Sequence, residues 1–174
     1  MSGFSHFHEI ERDLVILLSV VNAHDQTIKQ LRQIAATPGV PDGVMGHAYV
    51  IESTVENLLI SAAVRLRMIE DRFGQELSSV VYPYADDEIC RFIVGTPTTG
   101  DQRKTGLRRA CDKIIHADSV SFYDDLGFYE VSIGGMARGS EWEVVIDTRR
   151  FALSGLALTE QYDDNWEVSS IKRP

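Results

Sequence analysis

Several features that would narrow the class of protein are scarce or absent in this chain of 174 residues. No apolar run approaches the roughly 18 residues that suggest a membrane span, and the first residues lack the basic flank and apolar stretch of a signal peptide. We therefore expect a cytoplasmic protein without a membrane partner. Only two cysteines are present, Cys90 and Cys111, which favours free buried thiols over a disulfide or a zinc site.

Basic residues are also in the minority. The chain has 17 Lys and Arg against 26 Asp and Glu, which gives a net charge of −9 and disfavours binding of nucleic acid by the surface as a whole. Residues 101–116 reverse this balance with five basic and two acidic residues, so this segment carries +3 and the rest of the chain −12. A basic segment on an acidic protein can hold a phosphate group, but it can equally form a solvated helix face.

Two long stretches have the apolar spacing of amphipathic helices. The first predicts a helix from about Ser5 to Ala36. Its seam, with steps of three and four residues, consists of Ile10, Leu14, Leu17, Val21, His24, Ile28, Leu31 and Ala35. Such a seam is typical of a bundle core or of a dimer interface. Proline and glycine residues at 37–43 end this helix. A second helix is predicted from Val44 to Phe73, and its charged, solvated end includes Glu70.

The rest of the chain predicts shorter elements. A short helix is predicted from Asp86 through Ile93, and a further helix is capped by Asp101 or Thr105 and ends near Asp118. Strands follow at about 120–122 and 128–133, then a hairpin loop at 134–140 and a strand at 142–146. A fourth helix is predicted from Thr148 to about Gln161. The sequence therefore predicts one mainly α domain over residues 1–174. We expect an up-and-down helical bundle of about four helices, with a small antiparallel β hairpin or sheet at about 120–146 between the third and fourth helices.

The third of these helices carries the main concentration of candidate functional residues. At 100° per residue its apolar side consists of Leu107, Ala110, Cys111 and Ile114, and its polar side of Arg109, Asp112, Lys113 and His116. Arg109 and His116 are seven residues apart, so they point the same way, about 10 Å apart along the helix axis. An arginine stays charged and a histidine titrates near neutral pH, so together they can act on a phosphate group.

The pattern in which six residues separate Arg109 from His116 resembles the Arg-x(4–6)-His motif of the HEPN superfamily, whose members are helical-bundle proteins. Many members are ribonucleases of toxin–antitoxin and antiphage systems, and in active members the motifs of two protomers line one cleft without a metal. The resemblance implies a homodimeric endoribonuclease or RNA-binding component that needs no cofactor, with an antitoxin or another protein as a partner.

The resemblance also implies roles for the polar side chains. Cleavage of RNA requires a base for the ribose 2′-OH, an acid for the leaving 5′ oxygen and positive charge beside the phosphorane. His116 would be the acid or base, and Arg109 the phosphate clamp. Asp112 would orient either group, and Arg108 or Lys113 would hold a flanking phosphate.

A metal-binding alternative uses the other histidines. A helical bundle in which His24, His47 and His116 converge on a metal resembles the DinB-like hydrolases and transferases. The sequence has no pair of His and His, or His and Glu, at a spacing of four residues that would support this site.

A third hypothesis is a non-catalytic dimeric interaction or regulatory protein. The seam of the first helix, an acidic surface and exposed aromatic residues such as Trp142 and Trp166 suit an obligate dimer or a subunit that neutralises a basic toxin. On this hypothesis the polar side of the third helix is a solvated stripe with charge pairs at a spacing of four residues. Sequence spacing alone does not separate a dimer seam from an intramolecular core.

Overall fold

Helices dominate the described part of the chain, and a small sheet accompanies them. A computed structural model describes residues 4–36, 44–73, 80–123 and 130–171. The helices are α1 (Phe4–Ala35), α2 (Val44–Phe73), α3 (Asp86–Ile89), α4 (Gly106–Ile115) and α5 (Thr148–Ile171). The strands are β1 (Cys90–Val94), β2 (Ser119–Phe122), β3 (Glu130–Ala137) and β4 (Ser140–Asp147). The prediction of a mainly helical chain with a small antiparallel sheet is confirmed, and none of the described helices has the length and apolarity to cross a membrane.

Helices α1 and α2 form where the apolar spacing predicts them. The α1 seam is buried from Ile10 through His24 and packs against α2 and α5. This part of the seam is therefore intramolecular core. Asp13, which is 6% exposed, links the two helices because its carboxylate accepts hydrogen bonds from Ser61 Oγ at 2.9 Å and from Arg65 Nη1 at 2.7 Å.

The sheet has the strand order β1-β4-β3-β2 and is antiparallel throughout. The prediction of a helix that continues through Ile93 is wrong, because Cys90–Val94 form strand β1. Helix α3 ends at Ile89, and the following residues pair with β4, with Phe92 opposite Val144. Aromatic and β-branched residues favour a strand here, and the pairing with β4 decides the conformation. The sheet therefore takes one strand from before α4, in addition to the predicted region at 120–146.

The hairpin loop between β3 and β4 is shorter than the predicted 134–140. Strand β3 continues to Ala137, and the turn consists of Arg138 and Gly139, whose φ angles are 52° and 80°, as in a two-residue hairpin turn. The prediction that Gly135 belongs to the hairpin loop is wrong. It lies within β3, where a Cβ atom would meet Trp142 Cζ2 at 2.5 Å. The predicted strand positions 128 and 129 lie outside the described residues.

Helix α5 begins at Thr148 as predicted but continues to Ile171, well beyond the predicted end at Gln161. It packs against α1. Gly155 permits a close approach, because a Cβ atom there would lie 2.9 Å from Leu14 Cδ1 and 3.1 Å from Leu66 Cδ1. Helix α5 therefore closes the core over the α1 and α2 pair.

Candidate functional site on helix α4

Helix α4 is held in place by its apolar side, as the sequence predicts. That side consists of Leu107, Ala110, Cys111 and Ile114, which are all buried. Thr105 is the N-cap, since its Oγ1 accepts a hydrogen bond from Arg108 N at 3.3 Å. Helix α4 contacts α2, β1 and β3, so one flank of its polar side faces α2, the other faces the sheet, and the middle faces outward.

Arg108 lies on the flank that faces α2. Its Nη2 donates a hydrogen bond to Asp71 Oδ1 at 3.0 Å, and its Nη1 lies 3.5 Å from Glu70 Oε2. Burial raises the pKa of Glu70 to about 7, although the positive charges of Arg108 and Arg67 oppose this rise. The residue predicted to hold a flanking phosphate is thus paired with two carboxyl groups from α2.

Asp112 lies on the same flank. Its Oδ1 is 2.7 Å from Arg67 Nε, and its Oδ2 accepts a hydrogen bond from Lys104 Nζ at 2.6 Å. The resemblance implies that Asp112 orients Arg109 or His116, but its side chain pairs with neither of them within the described residues. Its carboxylate instead joins α4 to α2 and to the turn that precedes α4.

Lys113 lies on the flank that faces the sheet. Its Nζ is 4.4 Å from the ring centroid of Trp142 and 5.2 Å from that of Phe92, and it lies 3.6 Å from Asp101 Oδ2. Trp142 is only 7% exposed, so its interpretation as an exposed docking residue is wrong; the side chain of Trp166 lies outside the described residues. The ammonium of Lys113 is therefore held by rings and a carboxylate.

Arg109 lies on the outward side, between these two flanks. Its Nη2 is 3.5 Å from Lys104 O, and its Nε is buried without a hydrogen-bond partner among the described residues. Its charge acts on a buried thiol: burial raises the pKa of Cys90 to about 12, and the charges of Arg109 and Lys113 oppose this rise. Within the described ranges Arg109 has no carboxylate partner, so it is a half-buried cation without a counter-ion.

His116 is exposed at the C-cap of α4. Its backbone N donates a hydrogen bond to Asp112 O at 3.2 Å, and its carbonyl oxygen would lie 3.1 Å from a Cβ atom on Gly135 of β3. The imidazole ring forms no hydrogen bond with the part of the chain that the structure describes. The two motif residues thus lie at opposite ends of α4, both accessible on its outward side, with about 10 Å between them along the axis.

The partners of the basic segment on α2 were missed by the sequence analysis, which treated Glu70 as part of a solvated helix end. The side chain of Glu70 is only 7% exposed. Helical spacing could have indicated this, because Glu70 follows buried Ile69 and lies four residues after buried Leu66. Within the described residues, three of the five basic side chains of 101–116 are therefore paired with carboxylates of this segment or of α2, namely Lys104, Arg108 and Lys113.

The three histidines of the metal-binding hypothesis do not converge. The rings of His24 and His47 stack, with centroids 5.4 Å apart and 6° between their planes. Because nitrogen lone pairs lie in the ring plane, two stacked parallel rings do not direct them at one metal ion. His116 is distant, since neighbouring Ile115 lines the same cavity as Ile60, and Ile60 lies roughly 13 residues or about 20 Å along α2 from His47. In the described part of the chain no group of three or more potential metal ligands occurs.

No protein-family model, no curated protein and no solved structure matches this chain. What α4 can do is therefore inferred from its own residues. Arg109 offers a positive charge that no carboxylate in the described ranges neutralises, and His116 offers an exposed imidazole that can take up or release a proton. Together these groups are suited to binding a phosphate group and to proton transfer beside it.

Proposed function

We propose that this chain is a HEPN-like, metal-independent endoribonuclease, or the RNA-binding component of a toxin–antitoxin or antiphage-type system, and that it acts as a homodimer with Arg109 and His116 at the dimer cleft. One observation carries the proposal. Within the described part of the chain, ion pairs and ring contacts engage the α4 residues Arg108, Asp112 and Lys113, and none of them involves Arg109 or His116. The two residues left over are those of the motif.

The chemistry follows from what each group supplies. Arg109 stabilises the negative charge that develops on the phosphorane, and His116 transfers a proton to or from the ribose 2′-OH or the leaving 5′ oxygen. One histidine can serve first as the base and then as the acid in a single cleavage, so one Arg109 and one His116 form a site. A second copy is needed because the two residues of one chain lie about 10 Å apart along α4, and a dimer can bring Arg109 of one copy next to His116 of the other.

An exposed apolar stripe on α2 supports a dimer. Ile60, Val64 and Met68 recur every four residues and are 42%, 41% and 65% exposed. Ile115 of α4 lines the same cavity as Ile60. Contiguous apolar surface of this kind often marks a protein–protein contact. Burial of this stripe against a second copy would bring the outward side of α4 close to the interface, because α4 packs directly against α2.

The proposal is tested by incubating the purified protein with single-stranded RNA in buffer that contains EDTA. The wild type should cleave the RNA, whereas Arg109→Ala and His116→Ala should lose cleavage while their circular dichroism spectra stay unchanged. Matched controls are Arg103→Ala, which removes an exposed arginine of the same basic segment, and His8→Ala, which removes an exposed histidine of α1. Both controls should keep wild-type activity.

Cleavage that persists in both motif variants would overturn the nuclease proposal. The non-catalytic alternative gains support from a different result: a stable dimer in solution that neither cleaves nor binds RNA. The exposed apolar stripe on α2 supports this alternative equally well, because it could form the interface of a catalytic or of a non-catalytic dimer.

A further inference from the structure

Glu70 places a buried carboxyl group directly behind the arginines of α4. Its side chain is 7% exposed, and its Oε2 has no hydrogen-bond partner in the described part of the chain although Arg108 Nη1 lies 3.5 Å away. Arg108 is shared, because its other terminal nitrogen donates to Asp71. The next residue in the chain is Arg109, the proposed phosphate clamp.

The charged and titratable groups that face Glu70 come from three parts of the fold. They are Arg67 and Asp71 of α2, Arg108, Asp112 and the Cys111 thiol of α4, and Tyr82 from the segment before α3. Lys104 joins this set through Asp112. With Glu70 ionised, three cations stand against three carboxylates, and with Glu70 protonated the same cluster has one excess positive charge.

We propose that Glu70 is a proton-controlled counter-ion of the α4 site: when Glu70 takes up a proton, Arg108 is released from it and the site binds phosphate groups more tightly. The identification of the phosphate as part of RNA rests on the proposed function, but the coupling between Glu70 and Arg108 does not. Glu70 is buried and poorly hydrogen-bonded, and it shares its arginine partner with Asp71. Such a carboxyl group gains little from being ionised. Burial brings the pKa of Glu70 to about 7, so its charge changes in the neutral range.

The direction of the effect follows from electrostatics and linkage. An ionised Glu70 competes with the incoming phosphate for Arg108 and repels it, and by reciprocity a bound phosphate favours the protonated form of Glu70. A unit charge roughly 7 Å from the phosphate changes the affinity about threefold in the dielectric of water and about fiftyfold in that of a protein surface. Phosphate affinity should therefore rise as the pH falls through the neutral range.

The test measures binding of two probes to the wild type, to Glu70→Gln and to Glu160→Gln between pH 5.5 and 8.5. The probes are inorganic pyrophosphate and a single-stranded RNA oligonucleotide whose 2′-O-methyl groups prevent cleavage. Glu70→Gln keeps residue 70 uncharged, so this variant should bind about three- to fiftyfold more tightly than the wild type at pH 8.5 and equally tightly at pH 5.5. Glu160→Gln removes an exposed carboxylate of α5 and should follow the wild type at every pH. Contributions of the probes and of groups that both proteins retain cancel in the ratio of affinities.

The outcomes separate this inference from the proposed function. A ratio of affinities between Glu70→Gln and wild type that is independent of pH, or failure of both probes to bind, overturns the inference. A pH-dependent ratio with pyrophosphate but no binding of RNA supports the inference and contradicts the RNA proposal. If Glu70→Gln does not fold, His116→Gln replaces it with inorganic sulfate as the probe, because sulfate keeps its charge over this range. Its sulfate binding should still tighten between pH 8 and 6 because Glu70 remains, and a flat profile overturns the inference.

Discussion

The guanidinium of Arg109 turns towards Lys104 O, 3.5 Å away, and therefore away from His116, which lies two helical turns further along the same outward side of α4. Side chains on a helix lean towards its N-terminus, so this direction is the ordinary one for Arg109. One chain thus separates the proposed phosphate clamp from the proposed proton-transfer group. A twofold dimer can bring Arg109 of one copy next to His116 of the other.

This separation predicts complementation between two inactive variants. When Arg109→Ala and His116→Ala chains are mixed under conditions that exchange subunits, random pairing makes half of the dimers mixed, and each mixed dimer retains one complete site. About a quarter of wild-type RNA cleavage should therefore return in the mixture. The measurement is the initial cleavage rate of the mixture against each variant alone.

The control for this prediction is a mixture of Arg109→Ala with the double variant that carries both substitutions, which should stay inactive. Persistent inactivity of the first mixture, in spite of demonstrated subunit exchange, would place both residues of one site in the same chain.

Local periodicity was sufficient to predict α1, α2 and the buried side of α4, because the spacing of apolar residues directly reflects which side of a helix faces the core. Strand β1 was missed because its conformation depends on pairing with β4, some fifty residues later in the chain. The same limit applied to the site. Arg108 and Asp112 look like free surface charges in the sequence, but their partners Asp71 and Arg67 lie on a different helix.

Glu70 predicts a dependence of stability on pH. Its pKa is raised in the folded state from 4.5 to about 7, so its contribution to stability is fully present below about pH 4.5 and is lost as the pH rises through about 7. The loss should amount to about 3 kcal/mol in total, of which about 2 kcal/mol falls between pH 5.5 and 8.5. Urea unfolding of the wild type should show this decrease, and Glu70→Gln should lack it. The exposed Glu160→Gln variant is the control and should lose stability as the wild type does; equal slopes for Glu70→Gln and the wild type would contradict the assignment.

The contacts of Asp13 should make a measurable contribution to the packing of α1 against α2. Asp13→Asn removes the carboxylate that accepts hydrogen bonds from Ser61 and Arg65, and it leaves the guanidinium with a weaker partner. We expect a loss of about 1–3 kcal/mol in the free energy of unfolding. Glu9→Gln is the matched control, because Glu9 is a more exposed partner of the same arginine at 3.4 Å, and its loss should be under about 0.5 kcal/mol. Similar losses in the free energy of unfolding for the two variants would show that burial does not make the Asp13 contacts more stabilising than the exposed contact of Glu9.

Gly135 connects the sheet to the end of α4, and its substitution tests that connection. A Cβ atom on Gly135 would lie 2.5 Å from Trp142 Cζ2 and 3.1 Å from His116 O, so Gly135→Ala must displace the indole ring, the end of α4 or both. We expect a loss of about 1–3 kcal/mol in the free energy of unfolding, together with a change in tryptophan fluorescence because Trp142 becomes less enclosed. Gly46→Ala on α2 is the control, since a Cβ atom there meets no described atom within 4 Å and alanine favours a helix by up to about 1 kcal/mol. If Gly135→Ala were as stable as the wild type, with unchanged fluorescence, the close packing of β3 against Trp142 and His116 would be wrong.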